Sequence, residues 1–258
     1  MRRYLPILGL IFGWIVLYYW QKIYPLDAVK IENSLFFPLS FLMMTAALSL
    51  QWTRTYPLFS GLQKTAVLRL VIWCHGLNTI FAVSGDIFEL GWFLKNSQEN
   101  KIEIARRLFF RSINTLLSAL SFLIAGLLFF KTENYSLLVF LPVAGLTALF
   151  LLSSRWCYQL SLALLQSLCD VLALFCLAKS LDLKIAFSLW MLARTGVEFS
   201  TYLPIPLSGI GVHHFAITSI EQLATIPEIA QVAVLHHSLS VLFGLFCCLV
   251  GGLIWKKD

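Results

Sequence analysis

Long apolar runs alternate with short polar connections along the chain. Six runs approach or exceed the roughly 20 residues that a helix needs to cross about 30 Å of hydrocarbon. They are residues 5–20, 34–50, 108–130, 135–152, 156–178 and 229–255. Two further apolar segments, 66–91 and 183–215, are interrupted by polar residues, prolines or glycines. The pattern predicts an all-α polytopic membrane protein with about six spanning helices and two broken segments.

Composition agrees with a membrane setting. Of the 258 residues, 59% are hydrophobic and 12% are charged, which is about half the charged fraction of a soluble domain. The net charge of +6 comes from Lys and Arg in short loops beside the apolar runs. Basic residues in such loops are typical of proteins that follow the positive-inside rule and contact anionic lipid head groups. This distribution argues against a nucleic-acid partner. The first run follows Arg2 and Arg3 but lacks a small-residue cleavage site, so we expect it to stay as a span.

The order and spacing of these elements predict two copies of one unit. An offset of 126 residues aligns Gly85 with Gly211 and Arg111 with His237. Gly85 therefore precedes Arg111 by 26 residues, and Gly211 precedes His237 by the same 26 residues. Each copy has two spans, a broken segment, a polar connection and a third span. The predicted half-repeats are residues 1–130 and 131–258 of a single integral membrane domain.

The positive-inside rule predicts the path of the broken segments. If both segments dip into the membrane and return, the basic loop 95–107 lies in the cytoplasm with both termini; if they cross, that loop moves outside. We therefore favour two re-entrant segments. Three crossings per half then make the second half an inverted copy of the first, as in many transporters.

Prolines and glycines in the second broken segment predict an internal cavity. Pro204, Pro206, Gly209 and Gly211 interrupt an apolar region. Non-helical backbone at membrane depth is tolerated where protein or water satisfies its polar groups. A kinked ordinary helix is the alternative interpretation.

Three short motifs resemble one family. The stretch "LPIPLSGIGVHH", residues 203–214, resembles the LPisPGGlGvxE signature of the lysylphosphatidylglycerol synthase transmembrane family, a flippase-like membrane region that also occurs as free-standing proteins. The stretches "GLNTIFAVSGDIFEL" and "RRLFFRSIN" are similar to two motifs of its first half. The resemblance implies binding positions at Asn78, Gly85, Asp86, Arg111, Pro204, Gly209 and Gly211.

Several positions depart from the family pattern. His214 stands where the family has Glu, His237 replaces a later Arg, and Asn114 replaces a later Asp. These departures weaken a direct transfer of the family's ligand chemistry. We expect His214 and His237 to face each other across the cavity as hydrogen-bonding groups. A metal site is disfavoured, because the neighbours His213 and His236 point about 100° away from them on a helix. No cofactor is expected.

Arg111 is the strongest charged candidate, since an arginine inside a span is costly unless it is paired or faces water. Its predicted partner is Asp86 or Glu89, and a head-group phosphate could compete for the same guanidinium. The alternative is that Arg111 extends to the cytoplasmic surface beside the other arginines of its segment.

Arg194 and Glu198 form a second candidate pair. Their i, i+4 spacing puts both side chains on one helix face, which predicts an ion pair, with head-group contact as the alternative.

These features predict a flippase-like transporter or binder of an anionic or glycosylated lipid, in a bacterial inner or plasma membrane. The alternatives are a membrane-embedded lipid-modifying enzyme and a non-catalytic membrane partner of a glycosyltransferase or lipid synthase. The sequence has no nucleophile elbow, P-loop or dinucleotide fingerprint, and no soluble synthase domain is expected. A function without catalysis is therefore favoured.

Overall fold

The protein was analysed as a computed structural model that describes residues 31–59, 61–80, 84–129, 155–201 and 229–255. Within these ranges the chain forms seven α-helices, and a short 3-10 turn (Tyr56–Leu58) follows the first one. In chain order they are α1 (Phe36–Thr55), α2 (Lys64–Ile80), α3 (Ser84–Asn96), α4 (Lys101–Phe129), α5 (Arg155–Ser180), α6 (Phe187–Thr201) and α7 (Ile229–Trp255).

Within the described residues, three helical segments are long and apolar enough to cross a membrane: Phe36–Leu58, Lys101–Leu127 and Tyr158–Ser180. The all-α class is confirmed for the described part of the chain. The length and composition of the three segments agree with a membrane protein. Two predicted boundaries were wrong. Helix α1 continues past residue 50 to Thr55, and α4 begins at Lys101 rather than 108. The predicted spans 5–20 and 135–152 lie outside the described residues.

Helices α1 and α5 pack against each other in antiparallel orientation. Just before α1, the backbone N–H of Asn33 donates to the carbonyl of Ser180, at the end of α5. At the other end, the carbonyl of Arg54 accepts a hydrogen bond from Gln159, near the start of α5. We call these two ends of the bundle the Ser180 end and the Arg54 end. Helix α4 also begins at the Arg54 end.

Helices α2 and α3 form an antiparallel hairpin. The ring of Trp73 lies near that of Phe88, with 6.4 Å between centroids, and Leu70 shares a buried cluster with Phe93. Residues later in α3 therefore meet residues earlier in α2. Since 13 residues of helix extend only about 20 Å, α3 is too short to cross a membrane of about 30 Å. The short, antiparallel α3 is compatible with the predicted re-entrant path.

Helix α2 also packs closely against α7. A Cβ atom built on Gly76 would lie 2.5 Å from the Sγ atom of Cys248 and 2.6 Å from the carbonyl oxygen of Gly244. Such distances leave no room for a side chain. The glycine is therefore what lets the two helices approach.

Helix α6 packs against α4 in a comparable way. It starts at the Ser180 end, where Ser188 and Leu192 lie against Gly126 of α4. Further along, the hydroxyl of Thr195 donates to the carbonyl of Ala119 at 3.3 Å. The two helices are therefore antiparallel, and α6 enters the bundle from the end opposite to α2.

The interior and the outer surface are both apolar. Trp190, Leu174 and Leu177 are fully buried in the largest core cluster, between α5 and α6. Large apolar side chains such as Phe109 and Leu127 are exposed on the outside of α4. Lipid contact requires an apolar outer face, so the exposed apolar side chains of the described helices suit a membrane environment.

Candidate functional site

A buried ion pair joins three helices near the Arg54 end. The two terminal nitrogens of Arg111 in α4 donate to the two carboxylate oxygens of Glu89 in α3, each at 2.5 Å. Arg111 also donates to the hydroxyl of Thr55 in α1, at 3.0 Å. The Arg111 side chain is 12% exposed and that of Glu89 only 3%. Arg111 thus pairs with Glu89, one of its two predicted partners, and does not extend to the surface.

A second arginine, Arg54 of α1, lies beside this pair. It is buried, and its guanidinium donates to Gln166 at 2.7 Å, to Thr115 at 3.0 Å and to the carbonyl of Arg111 at 3.1 Å. We refer to Arg54, Glu89 and Arg111 as the first charge cluster. Because guanidinium groups carry several fixed donors, the cluster ties α1, α3, α4 and α5 together.

Asn78 fixes the start of α3 next to this cluster. Its side-chain oxygen accepts a hydrogen bond from the backbone N–H of Gly85 at 2.7 Å, so it serves one of the unpaired N–H groups at the helix start. Its side-chain nitrogen donates to Asp86 at 3.1 Å. A Cβ atom on Gly85 would collide with the carbonyl oxygen of Cys74. The motif residues Asn78, Gly85 and Asp86 therefore hold the hairpin closed and set the position of Glu89.

A cleft of about 190 Å³ opens beside the first charge cluster. We call it the arginine cleft, and its lining consists of Leu58, Glu103, Arg106, Arg107, Phe110, Arg111, Asn114 and Gln159. Three of these eight residues are arginines and one is a glutamate, which gives the lining two formal positive charges in excess. Glu89 and Glu99, which pair with Arg111 and Arg107, carry two negative charges and balance this formal excess.

The arginines of the cleft differ in how firmly they are held. Arg107 is mostly buried and pairs with Glu99 at 2.9 Å and with Glu103 at 3.0 Å, and it also donates to the carbonyl of Leu58. Arg106 is 62% exposed and has an ion pair with Glu103 at 3.0 Å. An exposed ion pair of this kind is weak. Arg106 is therefore the lining cation that an incoming anion can engage at least cost.

A second charge cluster lies between α5 and α6. The Arg194 guanidinium donates twice to one oxygen of Asp170, at 2.8 and 3.1 Å, and contacts a carboxylate oxygen of Glu198 at 2.7 Å. The predicted pairing of Arg194 with Glu198 is confirmed. Asp170 is an additional partner, so one cation holds two carboxylates among mostly apolar helices.

The predicted site residues fall into three groups. The structure brings Asn78, Gly85, Asp86, Glu89 and Arg111 together at the α2–α3 hairpin. Arg194 and Glu198 form the separate cluster of α6. The remaining predicted positions, Pro204, Gly209, Gly211 and His214, lie outside the described residues. His237 belongs to α7, but its side chain is outside the described set, so the predicted pairing of the two histidines stays a prediction.

Sequence reasoning missed several polar residues of these clusters: Arg54, Gln159, Gln166 and Asp170. Asp170 had a usable signal, because a carboxylate inside a predicted span is functional or paired by default. Arg54 follows the apolar run 34–50, so the sequence marks it only as a positive charge beside a span. The two glutamines carry no charge, and nothing in their spacing marks them.

Within the described ranges, no group of three His, Cys, Asp or Glu side chains is placed to hold a metal ion. No protein-family model matches the chain, and no curated protein or solved structure matches it. The resemblance to the lysylphosphatidylglycerol synthase transmembrane family therefore stays a prediction that depends on three short motifs.

Proposed function

We propose that the protein binds the anionic head group of a membrane amphiphile in the arginine cleft and lets it cross the bilayer between two inverted halves. The observation that carries this proposal is the cleft itself, three arginines beside helices whose outer faces are apolar. A guanidinium group offers paired donors that match phosphate and carboxylate oxygens. The acyl chains would stay in the bilayer while the head group occupies the polar site.

Helix packing supports the inverted arrangement. Helix α2 starts at the Arg54 end and packs against α7, whereas α6 starts at the Ser180 end and packs against α4. Helices α1 and α5 lie antiparallel between these pairs. If α1, α2 and α4 correspond to α5, α6 and α7, the α2–α7 and α6–α4 contacts are equivalent, and each joins one helix from each half. This is the arrangement in which broken segments from both halves meet near the membrane midplane.

Lipid exchange in vesicles tests the proposal. The full chain is reconstituted into phosphatidylcholine vesicles that contain a trace of short-chain fluorescent phosphatidylglycerol, and albumin extracts the label from the outer leaflet. We expect the inner-leaflet label to become extractable at least tenfold faster than in protein-free vesicles. Arg106→Gln should slow exchange roughly fivefold, because an exposed charge contact is worth about 1 kcal/mol.

Lys95→Gln is the matched control, since it removes one exposed positive charge from α3 without touching the cleft. Its exchange rate should equal that of the wild type. A wild-type rate equal to that of protein-free vesicles would contradict transport. Equal slowing by both variants would contradict a specific role for the cleft.

A further inference from the structure

The second charge cluster carries one formal negative charge in excess, because Arg194 pairs with both Asp170 and Glu198. Asp170 lies near the middle of Tyr158–Ser180, a segment that is long and apolar enough to cross a membrane. The rise of a helix puts Asp170 about 15 Å from the nearer end of that segment. Ionisable side chains at such depth are usually functional. The proposed lipid site uses none of the three residues of this cluster.

Three of the helices that pack around α5 and α6 bring no permanent positive charge to this depth. Neither Lys nor Arg occurs in residues 36–53 of α1, 112–129 of α4 or 229–255 of α7. Val171 and Ala193, the sequence neighbours of the ion pair, are fully buried in the apolar core. The excess charge therefore lies among apolar side chains, where an uncompensated charge is costly.

The helices around the cluster also carry titratable residues, namely Cys169 of α5, His75 of α2, and His236 and His237 of α7. Partial burial and the nearby positive charge of Arg194 both disfavour a proton on His75. The ring of His75 meets that of Phe243 edge-on, with 5.6 Å between centroids. A neutral His75 leaves the charge of the cluster unbalanced.

The pairing of Arg194 decides what a proton would do here. Two nitrogens of Arg194 donate to one oxygen of Asp170, at 2.8 and 3.1 Å, and this link joins α6 to α5. Glu198 lies on the same helix as Arg194, at 2.7 Å. A proton on Asp170 makes the cluster neutral and weakens the link between the helices, while Arg194 keeps Glu198 as its counter-ion. The side chain of Asp170 is 23% exposed, so water can bring the proton to it.

We propose that Asp170 is a proton-binding site and that its protonation releases α6 from α5. Helix α6 begins the second predicted broken segment, so the proton acts on an element whose movement would open or close the bundle. Coupling ions of transporters bind near the membrane midplane in this way. The site is separate from the arginine cleft, and proton binding does not depend on which amphiphile the protein carries.

Pulsed electron paramagnetic resonance on the full chain in vesicles tests the release. Spin labels replace Tyr158 of α5 and Phe199 of α6, both exposed, in a cysteine-free background. Ordinary carboxylates stay ionised from about pH 8 to about pH 6. Proton activity rises about a hundredfold over this range, so we expect the population with the longer distance to rise at least about fivefold.

Asp170→Asn, which resembles the protonated carboxyl group, should show the longer distance at both pH values. Asp182→Asn is the matched control, because Asp182 is an exposed carboxylate of the α5–α6 turn and asparagine tolerates its positive φ of 53°. This control should respond to pH as the wild type does. A wild-type distance that is equal at both pH values would overturn the inference, and so would a response that persists in Asp170→Asn.

Infrared difference spectra of the unlabelled wild type provide a test without a variant. Acidification over the same range should produce the carbonyl band of one protonated carboxyl group. Absence of that band would overturn the inference even if Asp170→Asn fails to fold. Neither measurement involves lipid exchange, so both can fail while the proposed function stands, and the exchange assay can fail while the proton site stands.

Discussion

Glu89 and Arg111 are the residues on which the first charge cluster depends. Glu89 is nearly inaccessible, and its carboxylate accepts two hydrogen bonds from Arg111. Removing one partner of a buried pair leaves the other charge without compensation. We expect Glu89→Gln to lower the free energy of unfolding by about 3–5 kcal/mol, measured as loss of stability in detergent.

A double replacement separates charge from packing. Glu89→Leu combined with Arg111→Met removes both charges and should recover most of the stability lost in Glu89→Gln, since apolar replacement of a buried pair is often neutral. Glu103→Gln, which alters ion pairs with the exposed Arg106 and with Arg107 at the edge of the cleft, should cost far less stability than Glu89→Gln, since exposed pairs contribute little. Equal loss in Glu89→Gln and Glu103→Gln would contradict the buried pair.

At the residue scale, the charged residues of the site were easier to predict from the sequence than its neutral polar residues. An arginine inside an apolar run demands a partner, and that requirement alone restricted Arg111 to Asp86 or Glu89. Which of the two it meets depends on how α3 packs against α4. Gln159 and Asn114 could not be assigned to the cleft from the chain alone, because the cleft forms where α4 and α5 come together.

At the scale of helices, the crossing of α2 and α7 depends on Gly76. A methyl group there would meet the Gly244 carbonyl, which belongs to the backbone and cannot rotate away. We expect Gly76→Ala to cost about 1–3 kcal/mol by forcing the helices apart. Thermal unfolding of the purified protein in detergent would measure the loss.

Gly91→Ala is the matched control in α3. A Cβ atom at Gly91 meets nothing within 4 Å, so alanine there should stabilise the helix by about 0.5–1 kcal/mol. Opposite shifts in melting temperature are therefore predicted for the two glycine variants. A Gly76→Ala protein as stable as Gly91→Ala would contradict the close crossing.

Hydropathy located the helices but not all of their ends. The run 229–255 coincides with α7, whereas α4 begins seven residues before its apolar run. The first turns of α4 carry Glu103, Arg106 and Arg107, whose ion pairs stabilise helix outside the apolar stretch. A hydropathy pattern does not detect that contribution. The break between α2 and α3 was predictable, because polar residues interrupt the apolar run there.

At the scale of the whole molecule, the directions of the described helices agree with the predicted order of crossings. Helix α1 ends where α4 and α5 begin, and α6 starts at the opposite end of the bundle. The positive-inside rule predicts that the Arg54 end faces the cytoplasm. Packing between the two predicted halves could not be read from the sequence, since residue identity between them is faint.

Thiol accessibility in intact cells tests the inverted, re-entrant arrangement most directly. Four single-cysteine variants in a cysteine-free background carry Gly61→Cys, Gln98→Cys, Lys184→Cys or Thr225→Cys, and each meets a membrane-impermeant reagent. We predict labelling of positions 184 and 225 in intact cells, and of 61 and 98 only after permeabilisation. Labelling of positions 98 and 225, while 61 and 184 stay protected, would mean that both broken segments cross the membrane and would contradict the inverted halves.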